Sequence, residues 1–461
     1  MFDSKTYTQR RSLLKQQVGS GIILFPGNKE SAMNYPANTY RFRQDSNFLY
    51  FFGLDYPDLT AVIDVDNNRD LLFGNDFSVD DIVWMGPQKS IRDKALDSGI
   101  NESFPNSYLN RFIKNAKKQK RKIHYLPVYR GENAIELSEL LETDIKKINN
   151  RASVKLIESV IEQRSIKSPG EITEIESALE ISYQMQTAAM KLTQPGMIER
   201  DVAGVIEGIA CALGKGLSFP VIFSVHGETL HNHHHENLMH DGDIVVNDSG
   251  AESFLHYASD ITRTFPVNGR FTTKQKDIYQ IVLDAQLNSI HSVKPGIRFK
   301  EIHLIAAKTI FEGLKNLGLA KGDTDEAVKA GAHALFFPHG LGHMLGLDVH
   351  DMEGLGEDFV GYSKKIKRSK QFGLSYLRLA KELKSGYVFT VEPGIYFIPE
   401  LISLWKSKKK FVDFINYDKL DDFKNFGGIR IEDDILVTET SHRTLGRAIP
   451  KTIEEIEQAC Q

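Results

Sequence analysis

The alternation of apolar and polar positions predicts a compact α/β region in the first third of the chain. Residues 5–18 have helical spacing and lead into a strand-like apolar run at 20–27. The runs at 48–54 and 80–87 are also typical of strands, and 59–74 is typical of a β-hairpin whose turn contains two asparagines. The pattern therefore predicts a small sheet with at least one covering helix.

A new domain is predicted to begin near residue 166. Ser168 is a natural N-cap, Pro169 suits the first helical position, and Glu171 completes a capping box. The helix that these residues start is expected to end before Pro195. We therefore divide the chain into an N-terminal domain, 1–165, and a C-terminal domain, 166–461.

The C-terminal domain contains a faint internal repeat. Residues 192–214 and 292–318 each place a Pro-Gly turn between two amphipathic helical segments, and each has an acidic residue, Asp201 or Glu301, five positions after the glycine. Strand-like runs follow both copies. A separation of 100 residues suits two related halves of one domain. We predict a mixed sheet covered by helices and built twice, so that the fold class of the chain is α/β (α+β).

Composition and charge narrow the function. The 461 residues are 41% hydrophobic, and a net charge of −4 with a pI near 6.4 gives no general electrostatic reason to bind nucleic acid or an anionic membrane. No stretch reaches the about 18 apolar residues of a membrane span. Cys211 and Cys460 are too few for a disulfide framework and are expected to be reduced thiols. A cytoplasmic location is therefore expected.

Four carboxylates stand inside or beside runs of β-branched residues that are expected to be buried. They are Asp248, Asp260, Glu392 and Glu432. A buried, unpaired carboxylate costs several kcal/mol or becomes protonated. Four such positions in one domain suggest a common cause.

Two explanations are open for these carboxylates. They are either members of buried salt bridges, with Arg263 and Arg430 as partners, or ligands of divalent cations. Four negative charges balance two M²⁺ ions, and oxygen ligands favour Mn²⁺, Mg²⁺ or Co²⁺ over metals that prefer thiolates. All four together with a histidine fit cations better than ion pairs.

Histidines occur in two groups. His339 and His343 have the i, i+4 spacing of a helical zinc motif, but Gly340 replaces the required glutamate and further glycines disfavour a helix. A turn or strand end that offers one imidazole to the metal and others to substrate is expected there. Six histidines lie between His226 and His240, and we expect most of that run to be a solvated loop.

Five residues in their local phrases resemble the dinuclear site of the prolidase and aminopeptidase P family. The phrases are NDSG, SDITRTFPVNG, PHGLGHMLGLDVHD, TVEPGIYF and GGIRIEDD, and the ligands are Asp248, Asp260, His343, Glu392 and Glu432. Residues 40–54 resemble the N-terminal domain of the same family. The resemblance implies a pita-bread catalytic domain with pseudo-two-fold halves, and an N-terminal domain that helps close the site across subunits.

The resemblance departs from the family pattern at one point. The two aspartates are 12 positions apart where it implies 11, which places one extra residue near 252–256. A bulge or a longer turn can absorb such a residue without moving either ligand. We therefore keep Asp248 and Asp260 as ligands.

The resemblance also implies roles for residues around the metals. Glu392 is expected to act as general base as well as ligand, His339 and His350 to bind substrate and stabilise the oxyanion, and His231 to face the proline side of the substrate. Independently of the resemblance, Arg430 lies two positions from Glu432, on the same face of the expected strand, and is therefore expected to orient carboxylates. Two more residues complete the predicted set: Arg378, which resembles the arginine that recognises a dipeptide carboxylate, and Phe219, which we place with Ile222 beside the proline ring.

These expectations lead to one favoured function and two alternatives. An Xaa-Pro aminopeptidase with two divalent ions is favoured, Mn²⁺ being the expected metal and Co²⁺, Zn²⁺ or Mg²⁺ the alternatives. An Xaa-Pro dipeptidase (prolidase) is the close second, and a non-catalytic pita-bread binding protein is less favoured because all five ligands are present. The expected partners are Xaa-Pro peptides and, from the resemblance, a second copy of the chain in a homodimer.

Overall fold

A computed structural model describes all residues of the chain, 1–461, and divides them into two compact units. One unit consists of Met1–Arg164 together with Glu353–Phe359, and the other of Ser165–Met352 and Val360–Gln461. The segment Glu353–Phe359 lies within the range assigned from the sequence to the C-terminal domain. The domain division at 165/166 stays a prediction.

No helix of the structure combines the length and the apolar composition that crossing a membrane requires.

The first unit contains seven helices and seven strands. The helices are α1 (Ser4–Val18), α2 (Ser46–Phe52), α3 (Val79–Met85), α4 (Ile91–Asp97), α5 (Ser107–Lys118), α6 (Gly131–Leu141) and α7 (Val154–Ser165), of which α7 ends at the boundary of the unit. The strands are β1 (Ile22–Pro26), β2 (Ala32–Tyr35), β3 (Asn38–Thr39), β4 (Thr60–Asp64), β5 (Arg69–Phe73), β6 (Glu102–Phe104) and β7 (Ile123–His124).

A five-stranded mixed sheet organises this unit. Its strand order is β6-β5-β4-β1-β7, with antiparallel pairs at the centre and parallel pairs at both edges. Apolar residues of β1, β4 and β5 pack against α5 and α6 in one core. The hairpin predicted over 59–74 is confirmed as β4 and β5, and Asn68 in its turn has a φ of 51°.

Two strand predictions in this unit are wrong. The run at 48–54 lies in α2, where the Asp45 carboxylate accepts the N–H groups of Asn47 and Phe48 and Gly53 ends the helix in the left-handed region. All seven residues of α2 are buried, and a short apolar run without alternation does not distinguish strand from helix. The run at 80–87 lies largely in α3, which begins with a capping box formed by Ser78 and Asp81.

The second unit contains nine helices and eight strands. The helices are α8 (Pro169–Leu192), α9 (Glu199–Leu213), α10 (Thr273–His291), α11 (Phe299–Asn316), α12 (Thr324–Ala330), α13 (Glu357–Gly361), which begins in the first unit, α14 (Pro399–Ser407), α15 (Tyr417–Leu420) and α16 (Ile453–Ala459). The strands are β8 (Ile222–Ser224), β9 (Ile244–Ser249), β10 (Ile261–Pro266), β11 (Val388–Val391), β12 (Gly394–Tyr396), β13 (Gly428–Arg430), β14 (Asp433–Val437) and β15 (His442–Thr444).

The predicted repeat is visible in the helices and strands of this unit. Helices α8 and α9 precede the sheet β10-β9-β8, and α10 and α11 precede the sheet β11-β14-β15 and the β12–β13 pair. Gly196 and Gly296 in the two Pro-Gly turns have φ values of 91° and 86°. Ile198 and Arg298, 100 positions apart, each form an isolated β-bridge after the turn. The two halves of the second unit are thus built from corresponding helix pairs and strands.

The start of the second unit confirms the predicted cap. The Ser168 hydroxyl and the Glu171 carboxylate form a complete capping box, and Pro169 is the first residue of α8. Two unpaired backbone N–H groups at the helix start are thereby satisfied. The position and type of α8 therefore follow from local sequence alone.

Candidate active site and metal centre

Two of the predicted ligands lie on the β9–β10 hairpin. Strands β9 and β10 pair antiparallel without a register shift, from Ile244 opposite Pro266 to Ser249 opposite Ile261. Asp248 lies one residue before the end of β9 and pairs with Thr262, and Asp260 immediately precedes β10. Antiparallel pairing continues in the same register as far as the Glu252–Ala258 bridge. An extra residue in the turn at 253–257, beyond that bridge, therefore leaves the register of both aspartates unchanged.

The two glutamates lie in the short segments that link one strand to the next. Glu392 is between β11 and β12, and Glu432 is between β13 and β14. Because β11 pairs with β14 and β12 pairs with β13, Val391 lies opposite Asp433 and Gly394 lies opposite Arg430. The two linking segments therefore run side by side.

A glycine allows the histidine segment to approach this sheet. An added Cβ at Gly342 would lie 1.9 Å from the main-chain oxygen of Thr390, so only glycine fits there. The Thr390 N–H donates to the His343 oxygen at 3.0 Å, and Met344 forms a β-bridge with Phe389. The ring Nδ1 of His343 lies 3.1 Å from the Met344 carbonyl and donates to it, which leaves Nε2 as an acceptor. That nitrogen can therefore bind a metal.

Ligand atoms converge on one buried point. Asp260, His343 and Glu432 offer ligand atoms that all lie within 4.8 Å of one another. The His343 Nε2 atom is 3.3 Å from Asp260 Oδ2 and 3.7 Å from Glu392 Oε1. One buried oxygen each of Asp248, Asp260 and Glu432 has no hydrogen-bond partner. Buried acceptors without partners are rare, and bound cations would satisfy these oxygens.

The electrostatics of the group favour its neutralisation. Burial, followed by the negative charge of Asp248, raises the pKa of Asp260 well above its ordinary value. Burial, followed by the charge of Asp260, does the same to the pKa of Glu432, and burial raises the pKa of Glu392. Carboxylates at this separation repel each other unless protons or cations neutralise them. The residues present therefore fit divalent metal ions.

One arginine partly bears out the ion-pair explanation. Arg430 donates from Nη2 to Asp248 Oδ2 at 2.6 Å, and both side chains are buried. Arg263, the other suggested partner, pairs instead with Asp433 at 2.7 Å. Ion pairing with these arginines thus accounts for Asp248 but not for Asp260 or Glu432.

His339 is held within the protein by both ring nitrogens. Its Nδ1 atom donates to the Gly340 carbonyl at 2.8 Å, and its Nε2 atom lies 2.9 Å from the Tyr396 hydroxyl. Burial, followed by the charge of Arg430, lowers the pKa of His339 to about 3, so the ring is neutral. The Tyr396 hydroxyl therefore donates to His339 and accepts from Arg430 Nη1 at 2.8 Å. Tyr396 was not predicted from the sequence, because a tyrosine in a strand has no distinctive pattern.

Other predicted residues surround the same point. The His350 and His343 rings are 4.2 Å apart between centroids. His231 is solvent-accessible, yet desolvation by the surrounding protein and the charges of Arg430, His350 and Arg378 lower its pKa. Arg378 is half-buried and lies within electrostatic range of Glu392. These three side chains therefore lie around the ligand group.

Two predicted features are less closely connected to the group. Phe219 is half-buried on the segment before β8, and Ile222 in β8 is buried and pairs with Asp248. Their contact with a proline ring stays a prediction. In the histidine run, His233 and His234 are exposed and His226 pairs with Glu228 at 3.1 Å. None of that run belongs to the Asp260–His343–Glu432 group.

A buried ion pair supports the segment that carries His350. Lys167 Nζ lies 2.9 Å from Asp351 Oδ2, and each side chain is 1% exposed. The other oxygen of Asp351 accepts the Asp348 N–H at 3.2 Å. Asp351 directly follows His350, so this pair holds the turn on which His350 lies.

We predict that Lys167→Met lowers the free energy of unfolding by about 3–5 kcal/mol, because it removes a buried positive charge 2.9 Å from a buried carboxylate. Denaturant unfolding measures the loss. In the double variant Lys167→Met, Asp351→Asn, the asparagine can still accept the Asp348 N–H, but the negative charge of Asp351 is gone. The double variant is therefore expected to be more stable than the single variant. Equal stability of the single and double variants would contradict the explanation.

The fold and the buried ligand group define a metal-dependent hydrolase of the pita-bread class, and comparison with known proteins gives its family. The chain matches the metallopeptidase family M24 over residues 173–439 and the aminopeptidase P N-terminal domain over residues 7–124. The chain belongs to the metallopeptidase family M24, which implies divalent metal ions.

Some relatives are named Xaa-Pro dipeptidases and others Xaa-Pro aminopeptidases, and both kinds are similar to this chain over nearly its whole length. Xaa-Pro dipeptidase of Homo sapiens is 32% identical over 462 residues, covering 96% of this chain and 89% of the relative. Probable Xaa-Pro aminopeptidase pepP of Botryotinia fuckeliana is 31% identical over 448 residues, covering 96% and 93%.

Solved structures agree with the fold. Aminopeptidase PepP of Pseudomonas aeruginosa superposes with a TM-score of 0.81 at 27% identity, covering 100% of this chain and 98% of that one. Zn-substituted aminopeptidase P of Escherichia coli in complex with product gives a TM-score of 0.81 at 30% identity, with the same coverage. The predicted pita-bread domain and the family resemblance are confirmed.

Proposed function

We propose that this protein is an Xaa-Pro aminopeptidase that holds two divalent ions, with Mn²⁺ as the expected metal. The ligands are Asp248, Asp260, His343, Glu392 and Glu432. The observation that carries the proposal is the set of buried carboxylate oxygens without hydrogen-bond partners in a group whose ligand atoms include the Nε2 of His343. Five ligands with mostly oxygen donors suit Mn²⁺, while Co²⁺, Zn²⁺ and Mg²⁺ remain alternatives.

The residues of the chain supply most of the remaining chemistry. When bound, two divalent ions lower the pKa of water and polarise the carbonyl under attack. Glu392 is the general base that takes a proton from the attacking water, because its side chain is 17% exposed whereas that of Glu432 is almost completely buried. Arg430 holds Asp248 in place through its ion pair.

The predicted substrate-binding histidines differ in their position relative to the Asp260–His343–Glu432 group. His350 and His231 lie beside the ligand group, and we assign them to substrate binding and to the oxyanion of the tetrahedral intermediate. His339 has both nitrogens engaged, so the contact with substrate predicted for it requires the exchange of one of those hydrogen bonds. In the present arrangement its role is to hold Tyr396 against Arg430.

Xaa-Pro dipeptidase is the alternative, and one observation favours it. The positive charge of Arg378 acts on Glu392 and His231, so a guanidinium lies within range of the reaction centre. An arginine there can bind the terminal carboxylate of a dipeptide through paired hydrogen bonds. An aminopeptidase would instead leave this region open to a longer peptide.

The two activities are separated by comparing Ala-Pro with Ala-Pro-Ala as substrates of the Mn²⁺-loaded protein. We expect turnover of the tripeptide, with loss of activity on chelation and recovery when Mn²⁺ is returned. Ala-Ala-Ala serves as the control, because a proline-specific enzyme leaves it intact. Cleavage of Ala-Pro alone would instead show a dipeptidase, and absence of chelator-sensitive activity on both proline peptides would leave a binding protein.

Arg378→Met provides a second test of the same choice. In an aminopeptidase, its effects on Ala-Pro and on a longer Ala-Pro peptide should be similar. In a dipeptidase, loss of a charge-assisted contact to the carboxylate should lower kcat/KM for Ala-Pro by about 10- to 100-fold. The homodimer and the cytoplasmic location stay predictions from the sequence.

A further inference from the structure

A threonine hydroxyl connects the ligand-bearing strands behind the metal site. Thr262 on β10 is completely buried. Its Oγ1 atom lies 2.6 Å from Glu432 Oε2 and 3.2 Å from Arg430 Nε. Arg430 in turn pairs with Asp248, so one hydroxyl lies between a predicted ligand and the arginine that holds another.

The chemistry of these groups determines the direction of each hydrogen bond. A guanidinium can only donate, so Arg430 Nε gives its proton to the Thr262 oxygen. The hydroxyl proton is then available to Glu432 Oε2. Because Oε2 is engaged, the carboxylate is restricted in rotation, and its other oxygen, Oε1, is buried without a hydrogen-bond partner. That second oxygen is the one left to bind a cation.

A neighbouring threonine shows what a structural hydroxyl on the same strand looks like. Thr264 is also buried and lies on the same face of β10, two residues further along. Its hydroxyl donates to the Arg430 carbonyl at 3.0 Å and accepts the Arg430 N–H at 3.1 Å. Thr264 therefore joins two strands through the main chain, whereas Thr262 contacts the two functional side chains.

We propose that Thr262 is a positioning residue of the metal centre, whose hydroxyl sets the orientation of the Glu432 carboxylate and aligns it with Arg430. This inference rests on the proposed function, because it assumes that Glu432 is a metal ligand. Partners that orient metal ligands change metal affinity by about 10- to 100-fold when they are removed. A hydroxyl that merely fills space would change stability without this effect.

The test measures Mn²⁺ binding to the metal-free full-length chain by calorimetric titration. Thr262→Val keeps the shape of the side chain and removes the hydroxyl, and it is expected to weaken Mn²⁺ binding by about 10- to 100-fold. Thr262→Ala and Thr262→Ser form a second pair, because both lose the methyl group and only serine keeps the hydroxyl. Serine should bind Mn²⁺ nearly as wild type does, and alanine should show the same loss as valine.

Thr264→Val is the matched control, since it also removes a buried hydroxyl from β10. It should lower the midpoint of thermal unfolding but leave Mn²⁺ affinity within about threefold of wild type, below the change expected for a ligand-orienting partner. Equal affinities of the Thr262→Ser and Thr262→Ala variants, or an equal loss in Thr264→Val, would overturn the proposal. If Thr262→Val does not fold, the serine and alanine pair still decides. Failure of the wild-type chain to bind Mn²⁺ would instead contradict the proposed function.

Discussion

Asp260→Asn is expected to abolish metal-dependent hydrolysis and, in the same variant, to stabilise the metal-free protein at neutral pH. Asp260 is buried among other acidic groups, and one of its oxygens has no hydrogen-bond partner. Its N–H donates to Asp434 Oδ2 at 3.2 Å, a main-chain contact that asparagine keeps. The substitution therefore removes an uncompensated charge with little change in shape.

The loss of activity follows from the same charge. Metal-assisted activation of water and carbonyl contributes several kcal/mol, so we expect kcat/KM to fall at least about 1000-fold. The gain in stability follows because the wild-type carboxylate repels its neighbours when no cation is present. The measurements are peptide hydrolysis with added Mn²⁺ and thermal unfolding in the presence of a chelator.

The stability difference between Asp260→Asn and the wild-type chain should depend on pH in a definite direction. The pKa of Asp260 in the folded, metal-free state is raised above its unfolded value, so this group lowers stability progressively as pH rises from the unfolded pKa to the raised folded pKa. Above the folded pKa the loss is constant. The stability advantage of Asp260→Asn should therefore be largest at and above the raised folded pKa and shrink as pH falls toward the unfolded pKa of Asp260. An advantage that grows on acidification would contradict the account.

Asp433→Asn is the matched control, because Asp433 is equally buried but paired. The charges of Arg263 and Lys451 outweigh its desolvation and lower its pKa to about 2. Its ionised form therefore stabilises the fold at pH values above its unfolded pKa, and the contribution is lost as pH falls through the folded pKa. Replacing it should cost on the order of 2 kcal/mol at neutral pH. Two neighbouring buried aspartates should thus respond to the same substitution with opposite signs.

The candidate metal ligands stand out in the sequence because they break a rule of composition. Acidic residues inside runs of β-branched residues are rare, because such runs are usually buried. This conflict between charge and burial singles out Asp248, Asp260, Glu392 and Glu432 from the sequence alone. The structure brings Asp260 and Glu432 together with His343. The local sequence around each of these residues carries the family resemblance, and the resemblance implies that they are metal ligands.

The supporting contacts could not be predicted in the same way. Lys167 and Asp351 are 184 positions apart, and neither stands in an unusual local pattern. Thr262 and Tyr396 are ordinary strand residues by composition. Their importance arises only from side chains that distant segments bring to them: Glu432 and Arg430 for Thr262, and His339 and Arg430 for Tyr396. Pairing between distant segments is a property of the folded chain.

The errors in the secondary structure have a similar origin. The apolar run in α2 reads as a strand because helix and strand both tolerate a short, fully buried segment. The capping signals that decide the matter, Asp45 for α2 and Ser78 with Asp81 for α3, lie just outside or at the edge of the apolar runs. For α8 the cap residues themselves indicate where the helix begins, and that prediction is confirmed.

Glu392→Gln should separate catalysis from metal binding more sharply than any other substitution at this site. Glu392 Oε1 lies 3.7 Å from His343 Nε2, and Glu392 Oε2 lies 3.9 Å from His339 Nδ1. The Glu392 carboxylate therefore lies between His343 and His339. The Glu392 side chain is more accessible to solvent than those of Asp260 and Glu432. Glutamine keeps an oxygen that can bind a metal but is not a base.

We therefore expect Glu392→Gln to lower kcat for an Xaa-Pro peptide by about 100- to 10,000-fold, with a much smaller change in KM. Mn²⁺ affinity, measured by titration, should fall less than in Asp260→Asn, because Asp260 belongs to the innermost buried group and Glu392 borders it. If Glu392→Gln lost Mn²⁺ as completely as Asp260→Asn, its loss of activity would reflect ligation alone, and the general base would have to be sought among other residues. Retained metal with lost turnover would assign the proton transfer to Glu392, because the carboxylate differs from the amide chiefly in its ability to accept that proton.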